Sequence, residues 1–238
     1  MQNKNLKFKE KKIMKKIMMI AAMMVATLSA NAQNEVGQFS LKPTVGLNIA
    51  TVTKGDNTKS RPGLLIGLEG EYGVAKNFGI TAGFFYSQQG TKTNYDEYDE
   101  IWFDDDYNFV GAEEFKGKST VKLDFINIPI LAQYYLIPGL AIKAGIQPGF
   151  NVLKKARLEG TVRQAGVMGA NERSIDETRK IDEGVKGFQF AIPVGLSYEY
   201  KNIVLDARYN IGVTKAFKNF DSHHSVFSIT LGYKIPLN

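Results

Sequence analysis

The stretch Ser225-Val-Phe-Ser-Ile-Thr-Leu-Gly-Tyr-Lys-Ile-Pro-Leu237 alternates without a break. Phe227, Ile229, Leu231, Tyr233, Ile235 and Leu237 fall on one side, and Ser228, Thr230, Gly232 and Lys234 on the other. A period of two marks a strand with one apolar and one polar face. The rhythm recurs upstream, and eight segments can be marked: Phe39–Val52, Gly63–Val74, Gly79–Thr91, Ser119–Tyr135, Leu140–Lys154, Val185–Tyr200, Ile203–Lys215 and His224–Leu237. Most outrun the roughly 5–6 residues common in soluble sheets and reach the roughly 9–11 of a tilted strand that crosses a bilayer. An even count of such segments predicts an all-β fold, an eight-stranded antiparallel up-and-down transmembrane β-barrel.

The connections alternate as such a barrel requires, with short turns at one end and longer stretches at the other. Ala75–Phe78, Leu136–Gly139 and Lys201–Asn202 are tight and carry Asn, Gly and Pro turn residues. Thr53–Pro62, Lys92–Lys118, Lys155–Gly184 and Ala216–His223 are longer, and with both termini in the periplasm all four face outside the cell.

The N-terminus reads as an export signal. Lys11, Lys12, Lys15 and Lys16 precede the apolar run Ile17–Leu28, and Ala30-Asn31-Ala32 supplies small residues for cleavage. The run falls short of the roughly 20 apolar residues of a membrane-spanning helix. Residues 1–32 are therefore expected to be removed, leaving 33–238 as one barrel domain. Met14 opens a complete signal by itself, so translation from Met1 or from Met14 is compatible with this reading. The formal charge of +6 resides in that leader: of 30 basic and 24 acidic residues, seven lysines and one glutamate lie in 1–32, which leaves 23 of each. A basic surface for nucleic acid is thereby excluded. The chain has no cysteine, which excludes disulfides, thiolate metal sites and cysteine catalysis.

Alternation alone does not separate a membrane barrel from a soluble one, because exchanging inside and outside preserves the period. The polar faces discriminate. In Ile203–Lys215 the polar side carries Asp206, Arg208, Asn210, Gly212 and Thr214, and Gly46, Gly67, Gly83, Gly145, Gly149, Gly195 and Gly232 also fall on polar sides. Glycine suits the crowded lumen of a narrow barrel. The same phase assigns to the lumen Lys42, Lys122, Lys143, Arg208 and Lys234 against Glu69, Glu71, Asp124, Glu199 and Asp206, a balanced set expected to form a hydrogen-bonded plug. Phe39, Tyr72, Phe78, Tyr134, Tyr198, Tyr200 and Tyr233 cluster at the turn ends as an interfacial girdle. In the fourth segment Leu123 and Phe125 share one parity and Ile126, Ile128 and Ile130 the other, so a bulge near Pro129 is expected to restore the phase.

Lys122-Leu-Asp-Phe-Ile-Asn-Ile-Pro-Ile-Leu-Ala-Gln-Tyr-Tyr135, Gly145-Ile-Gln-Pro-Gly-Phe150 and Ile192-Pro-Val-Gly-Leu196 resemble the PorT-like outer-membrane β-barrel domain family of Bacteroidetes-type bacteria. The resemblance spans essentially all of 33–238. It implies an eight-stranded outer-membrane barrel and, from the founding member, a part in secretion. It carries over no catalytic residues and no cofactor. The chain ends in Asn238 rather than an aromatic residue, a departure from the common terminal signal of such barrels.

Catalysis would have to draw on His223 and His224, the only histidines, beside Asp221 and Ser222. Neighbours in a strand point to opposite faces, so at most one of the pair serves any single site, and a lipid acyltransferase or protease is the remote alternative. The loop Tyr95-Asp-Glu-Tyr-Asp-Glu-Ile-Trp-Phe-Asp-Asp-Asp-Tyr-Asn108 is the sharpest local feature, and Lys92–Lys118 holds nine acidic and three basic residues. Its spacing lacks the glycine and terminal glutamate of an EF-hand, so no metal site is assigned. A charge run of this kind self-repels and usually stays solvated, and the interleaved Tyr95, Tyr98, Trp102, Phe103 and Tyr107 favour a further reading, a surface that contacts protein or glycan. Lys155–Gly184, with six basic and six acidic residues, either extends two strands as a hairpin or stays mobile. The reading is a non-enzymatic outer-membrane barrel with a filled lumen, in structural, surface-contact or secretion-assembly work. Its partners are membrane lipid and an envelope or secretion-system protein, and a small passive pore is the alternative.

Overall fold

Lipid-facing and lumen-facing residues alternate along each crossing, and backbone pairing closes the strands into a ring. The computed structural model describes residues 36–53, 58–103, 105, 109–166, 169–181, 184–218 and 221–237. Among these the strands are β1 (Phe39–Val52), β2 (Thr58–Ala75), β3 (Phe78–Phe103), β4 (Phe109–Asn127), β5 (Ile130–Ile137), β6 (Leu140–Gly166), β7 (Gly169–Lys180), β8 (Phe188–Tyr200), β9 (Ile203–Lys215), β10 (His223–Tyr233) and β11 (Ile235–Leu237). The order β10-β9-β8-β6-β4-β3-β2-β1 is closed by antiparallel pairing of β1 with β10. Three crossings consist of two strands each: β4 with β5, β7 with β8, and β10 with β11. Eight staves result, as the alternation predicted.

Pro129 explains the first interruption, because it has no N–H to give to the ladder. Its carbonyl still accepts from Gly83 N at 2.9 Å, and Ile128 N donates to Pro148 O at 2.9 Å. Phe85↔Asn127 and Ala82↔Ile130 keep one register across the gap. No bulge sits at Pro129, contrary to the sequence expectation. The extra residue lies on the facing strand, where Phe125 pairs Asn151 but Asp124 pairs Leu153 and Val152 is left over.

The turns explain why the short connections need their residues. Between β8 and β9, Lys201 and Asn202 have φ of 47° and 69°, the two positive angles of a tight primed hairpin turn. Between β5 and β6, Gly139 has φ +83°, and a Cβ there would lie 2.5 Å from Glu199 O. Gly139→Val should therefore lower stability by about 1–3 kcal/mol through backbone strain alone. A urea-unfolding midpoint equal to that of the wild type would contradict this.

The burial pattern is inverted relative to a soluble sheet. Leu47 is 63 % exposed and Leu231 52 %, whereas Lys42, Glu69 and Asp206 are buried. Polar groups fill the inside and apolar groups cover the outside, the arrangement of a barrel in lipid. At the turn end Phe39, Tyr72, Tyr134, Tyr200 and Tyr233 are exposed as the girdle requires, while Phe78 and Tyr198 are half-buried.

Beyond the barrel, two hairpins continue. β3 and β4 pair out to Phe103↔Phe109, β6 and β7 out to Gly166↔Gly169, and β4 pairs β6 out to Gly111↔Gly166. The four strands form one projecting sheet. The stretches read from sequence as the loop Lys92–Lys118 and as an undecided Lys155–Gly184 are thus largely strand, and the strand bounds expected at Thr91, Ser119 and Lys154 are too short.

Candidate functional site

The lumen is lined by inward residues of every crossing. Nearest the short turns, Glu71 of β2 accepts hydrogen bonds from Tyr135 OH at 2.6 Å, Gln133 Nε2 at 2.9 Å and Lys234 Nζ at 3.3 Å. Lys234 also donates to Glu199 Oε2 at 3.0 Å. One layer up, Glu69 Oε1 accepts from Lys42 Nζ at 2.6 Å and Lys143 Nζ at 3.2 Å, and its Oε2 accepts from Arg208 Nη2 at 2.5 Å. Asp206 takes Arg208 Nε at 2.7 Å and Lys143 Nζ at 2.9 Å. Two neighbouring layers therefore hold Lys42, Lys143, Arg208 and Lys234 against Glu69, Glu71, Glu199 and Asp206. Arg208 also stands 6.0 Å from the centroid of Phe85, whose ring edge leaves no room for a Cβ at Gly67.

Above the charges lies an amide and hydroxyl layer. Asn48 donates to Ser87 Oγ at 2.8 Å and accepts from Ser228 Oγ at 2.7 Å, and Gln89 Nε2 reaches Ser87 Oγ at 3.0 Å. Phe85, Gln89, Asn127, Gln147, Arg208 and Asn210 line a cavity of about 20 Å³, the size of one water. Above that, Leu123, Phe125 and Val185 form a buried apolar cluster with Val121, Ile181 and Phe217 packed on it. Val185 bridges Phe217 through the backbone, and the rings of His224 and Phe125 meet nearly at right angles with 5.3 Å between centroids. The segments after β7 and β9 thus lay an apolar cap over the polar lumen.

Eight of the ten residues assigned to the lumen network meet there. Lys122 and Asp124 do not, which corrects the sequence assignment. β4 turns Leu123 and Phe125 inward, so Asp124 takes the other side, where Tyr86 OH donates to it at 2.5 Å and Arg61 stands 3.9 Å away. Lys122 is half-buried on that outer side, directly opposite Lys155. Reading every apolar residue as lipid-facing fails at the cap, where the inward residues are themselves apolar. Gln133, Tyr135 and Phe85 are lumen residues that the charge pattern missed, although the parity of Leu131, Gln133 and Tyr135 carries the signal.

On the projecting sheet, Tyr95, Trp102 and Phe103 are exposed, with Phe103 at 57 %. Tyr95 packs on Phe115 at 5.9 Å between centroids, and a Cβ at Gly111 would lie 3.2 Å from the Trp102 ring. Tyr98 lies on β3 opposite Phe115, and Tyr107 lies outside the described residues. Among the described residues, no three carboxylate or histidine side chains gather as a metal would need. On the outer surface Arg157 clasps Asp176 with bonds of 2.9 and 2.8 Å, and that hydrogen bond lowers the Asp176 carboxyl below its ordinary range. His224 is buried beneath the cap, whereas His223 Nε2 lies 3.6 Å from Asp221 Oδ1. The two histidines do not share a site.

With the inverted barrel described, the family assignment follows from the sequence match: residues 31–218 fit the model described as an outer membrane protein beta-barrel domain. The chain belongs to that family. Its place is the outer membrane, in keeping with the polar inside and apolar outside. Comparison with curated proteins gives no match. Among solved structures, the chain is similar to Ail, the attachment invasion locus protein of Yersinia pestis, at 15 % identity over 84 % of this chain and 100 % of that one, with a TM-score of 0.41. It is similar to Neisserial surface protein A at 12 % identity over 83 % and 96 %, with a TM-score of 0.40. For OprG from Pseudomonas aeruginosa the identity is 10 % over 86 % and 98 %, with a TM-score of 0.40.

Proposed function

We propose that this family member is a closed, non-enzymatic barrel that works by contact rather than by passage, presenting its projecting sheet outside the cell. The supporting observation is the filled lumen: two layers of ion pairs, an amide layer and an apolar cap, with a central cavity of about 20 Å³. Eight strands leave room for little beyond side chains. The exposed Tyr95, Trp102 and Phe103 supply the aromatic anchors that contact surfaces favour. The PorT-like resemblance of Lys122–Tyr135 supports an assembly or secretion role, with an envelope protein as partner. Export through the signal 1–32 belongs to the same reading, and the mature chain then begins at Gln33.

Purified protein in planar bilayers should show no steady single-channel openings; a stable conductance would establish the small-pore alternative instead. Orientation has its own test, because a chain without cysteine accepts a single reporter thiol. Asn171→Cys, exposed near the far end of the β6–β7 hairpin, should react with a membrane-impermeant maleimide on intact cells. Labelling only after lysis would reverse the orientation.

A further inference from the structure

The outer side of the sheet carries cations in rows. Cross-strand partners point to the same face, and β4, β6 and β7 align Lys122↔Lys155↔Lys180 in one row. In the next row outward, Lys59↔Lys92 of β2 and β3 lie beside Thr120↔Arg157 of β4 and β6. Like charges directly opposite on neighbouring strands, with Cβ atoms about 4.5–5.5 Å apart, destabilise a sheet. Acidic neighbours do not relieve the lower row. Asp176 and Glu159 engage Arg157 at 2.8 and 3.1 Å one row further out, Glu159 also pairs Lys118 at 3.3 Å, and Asp124 below is taken by Tyr86 and faces Arg61. Among the described residues, Lys122, Lys155 and Lys180 have no ion-pair partner.

Position indicates which anion these lysines would meet. On the same outer face, directly toward the turn end, follow Ile126, Phe150, Val152 and Phe188, with Val152 57 % exposed and Phe150 and Phe188 rings 5.5 Å apart. That apolar band is the lipid-facing surface, so the lysine rows stand at headgroup level, where their stems can lie along apolar surface and their ammonium groups reach phosphate. We propose that Lys59, Lys92, Lys122, Lys155 and Lys180 form a belt on one side of the barrel that holds the phosphate groups of an outer-leaflet lipid. The belt rests on the outward orientation proposed above.

Native mass spectrometry of the full barrel in neutral detergent, with bis-phosphorylated lipid A as the probe, tests this. The wild type should retain that lipid and release its dephosphorylated form, and Lys122→Gln, Lys155→Gln and Lys180→Gln together should weaken retention about 100-fold. In lipid-free detergent the triple variant should unfold no earlier than the wild type, because its repulsion is gone. Should it fail to fold, Lys155→Gln alone, at the centre of the row, should weaken retention about five-fold. Equal retention by wild type and variant, or equal binding of phosphorylated and dephosphorylated lipid, would overturn the belt. Protection by inorganic phosphate equal to that by lipid would overturn its assignment to lipid. Preference for phosphatidylglycerol over lipid A, with Asn171→Cys labelled only after lysis, would fault the orientation instead.

Discussion

Replacing Glu69 with alanine should cost the barrel about 3–5 kcal/mol, because it strands three cations in a buried lumen. Glu69 is fully buried and is the common acceptor of Lys42, Lys143 and Arg208. Asp206 remains to Arg208 and Lys143, but Lys42 has no other acidic side chain within ion-pair distance among the described residues. The loss comes mainly from leaving charge unpaired where water is scarce, and much less from the bond itself. An exposed pair behaves oppositely: Arg157→Ala, which breaks the clasp to Asp176, should leave the unfolding midpoint almost unchanged. Urea titration of the two variants in detergent separates the cases. Equal midpoints would mean that water enters the lumen freely, and the ion layers would then be a hydrated passage rather than a plug.

Phe125→Ala should cost about 3–5 kcal/mol, the ordinary penalty for deleting a buried aromatic ring. Phe125 is buried within the cap, clustered with Leu123 and Val185 and set nearly at right angles to the His224 ring. The same variant should still give no steady conductance, because both ion layers lie beneath the cap and remain intact. An unchanged midpoint would show that the cap does not pack on Phe125. A normal midpoint accompanied by new channel openings would make the cap the gate and demote the ion layers.

Much of this was legible in the residues, for a physical reason. Lipid demands apolar side chains outside and a narrow lumen demands polar or tiny ones inside, so Ile203–Lys215 and Ser225–Leu237 announce both faces at once. Lys42, Glu69, Glu71, Lys143, Glu199, Asp206, Arg208 and Lys234 all follow from that phase, and the structure brings them together. Lys122 and Asp124 escaped because the phase was set by assuming that Leu123 and Phe125 face lipid. Their true direction depends on the cap built by Val185 and Phe217 from distant segments, a contact that no local pattern encodes. The projecting sheet escaped for another reason. Its strands carry charged residues where the barrel strands carry apolar ones, so the alternation fades, and the acidic run at Tyr95–Asn108 looks like a solvated loop although backbone pairing continues to Phe103. The interruption at Pro129 was visible, but the inserted residue was on the partner strand at Val152, which a single strand's sequence does not reveal.

The contact reading is most directly tested by placing a photo-crosslinking amino acid at Trp102 and, separately, at Val152, then irradiating intact cells. The account predicts that position 102 captures one envelope or surface protein reproducibly, while position 152 on the lipid-facing band captures lipid alone. Lipid and scattered neighbours at both positions would contradict it and leave a barrel that stands alone.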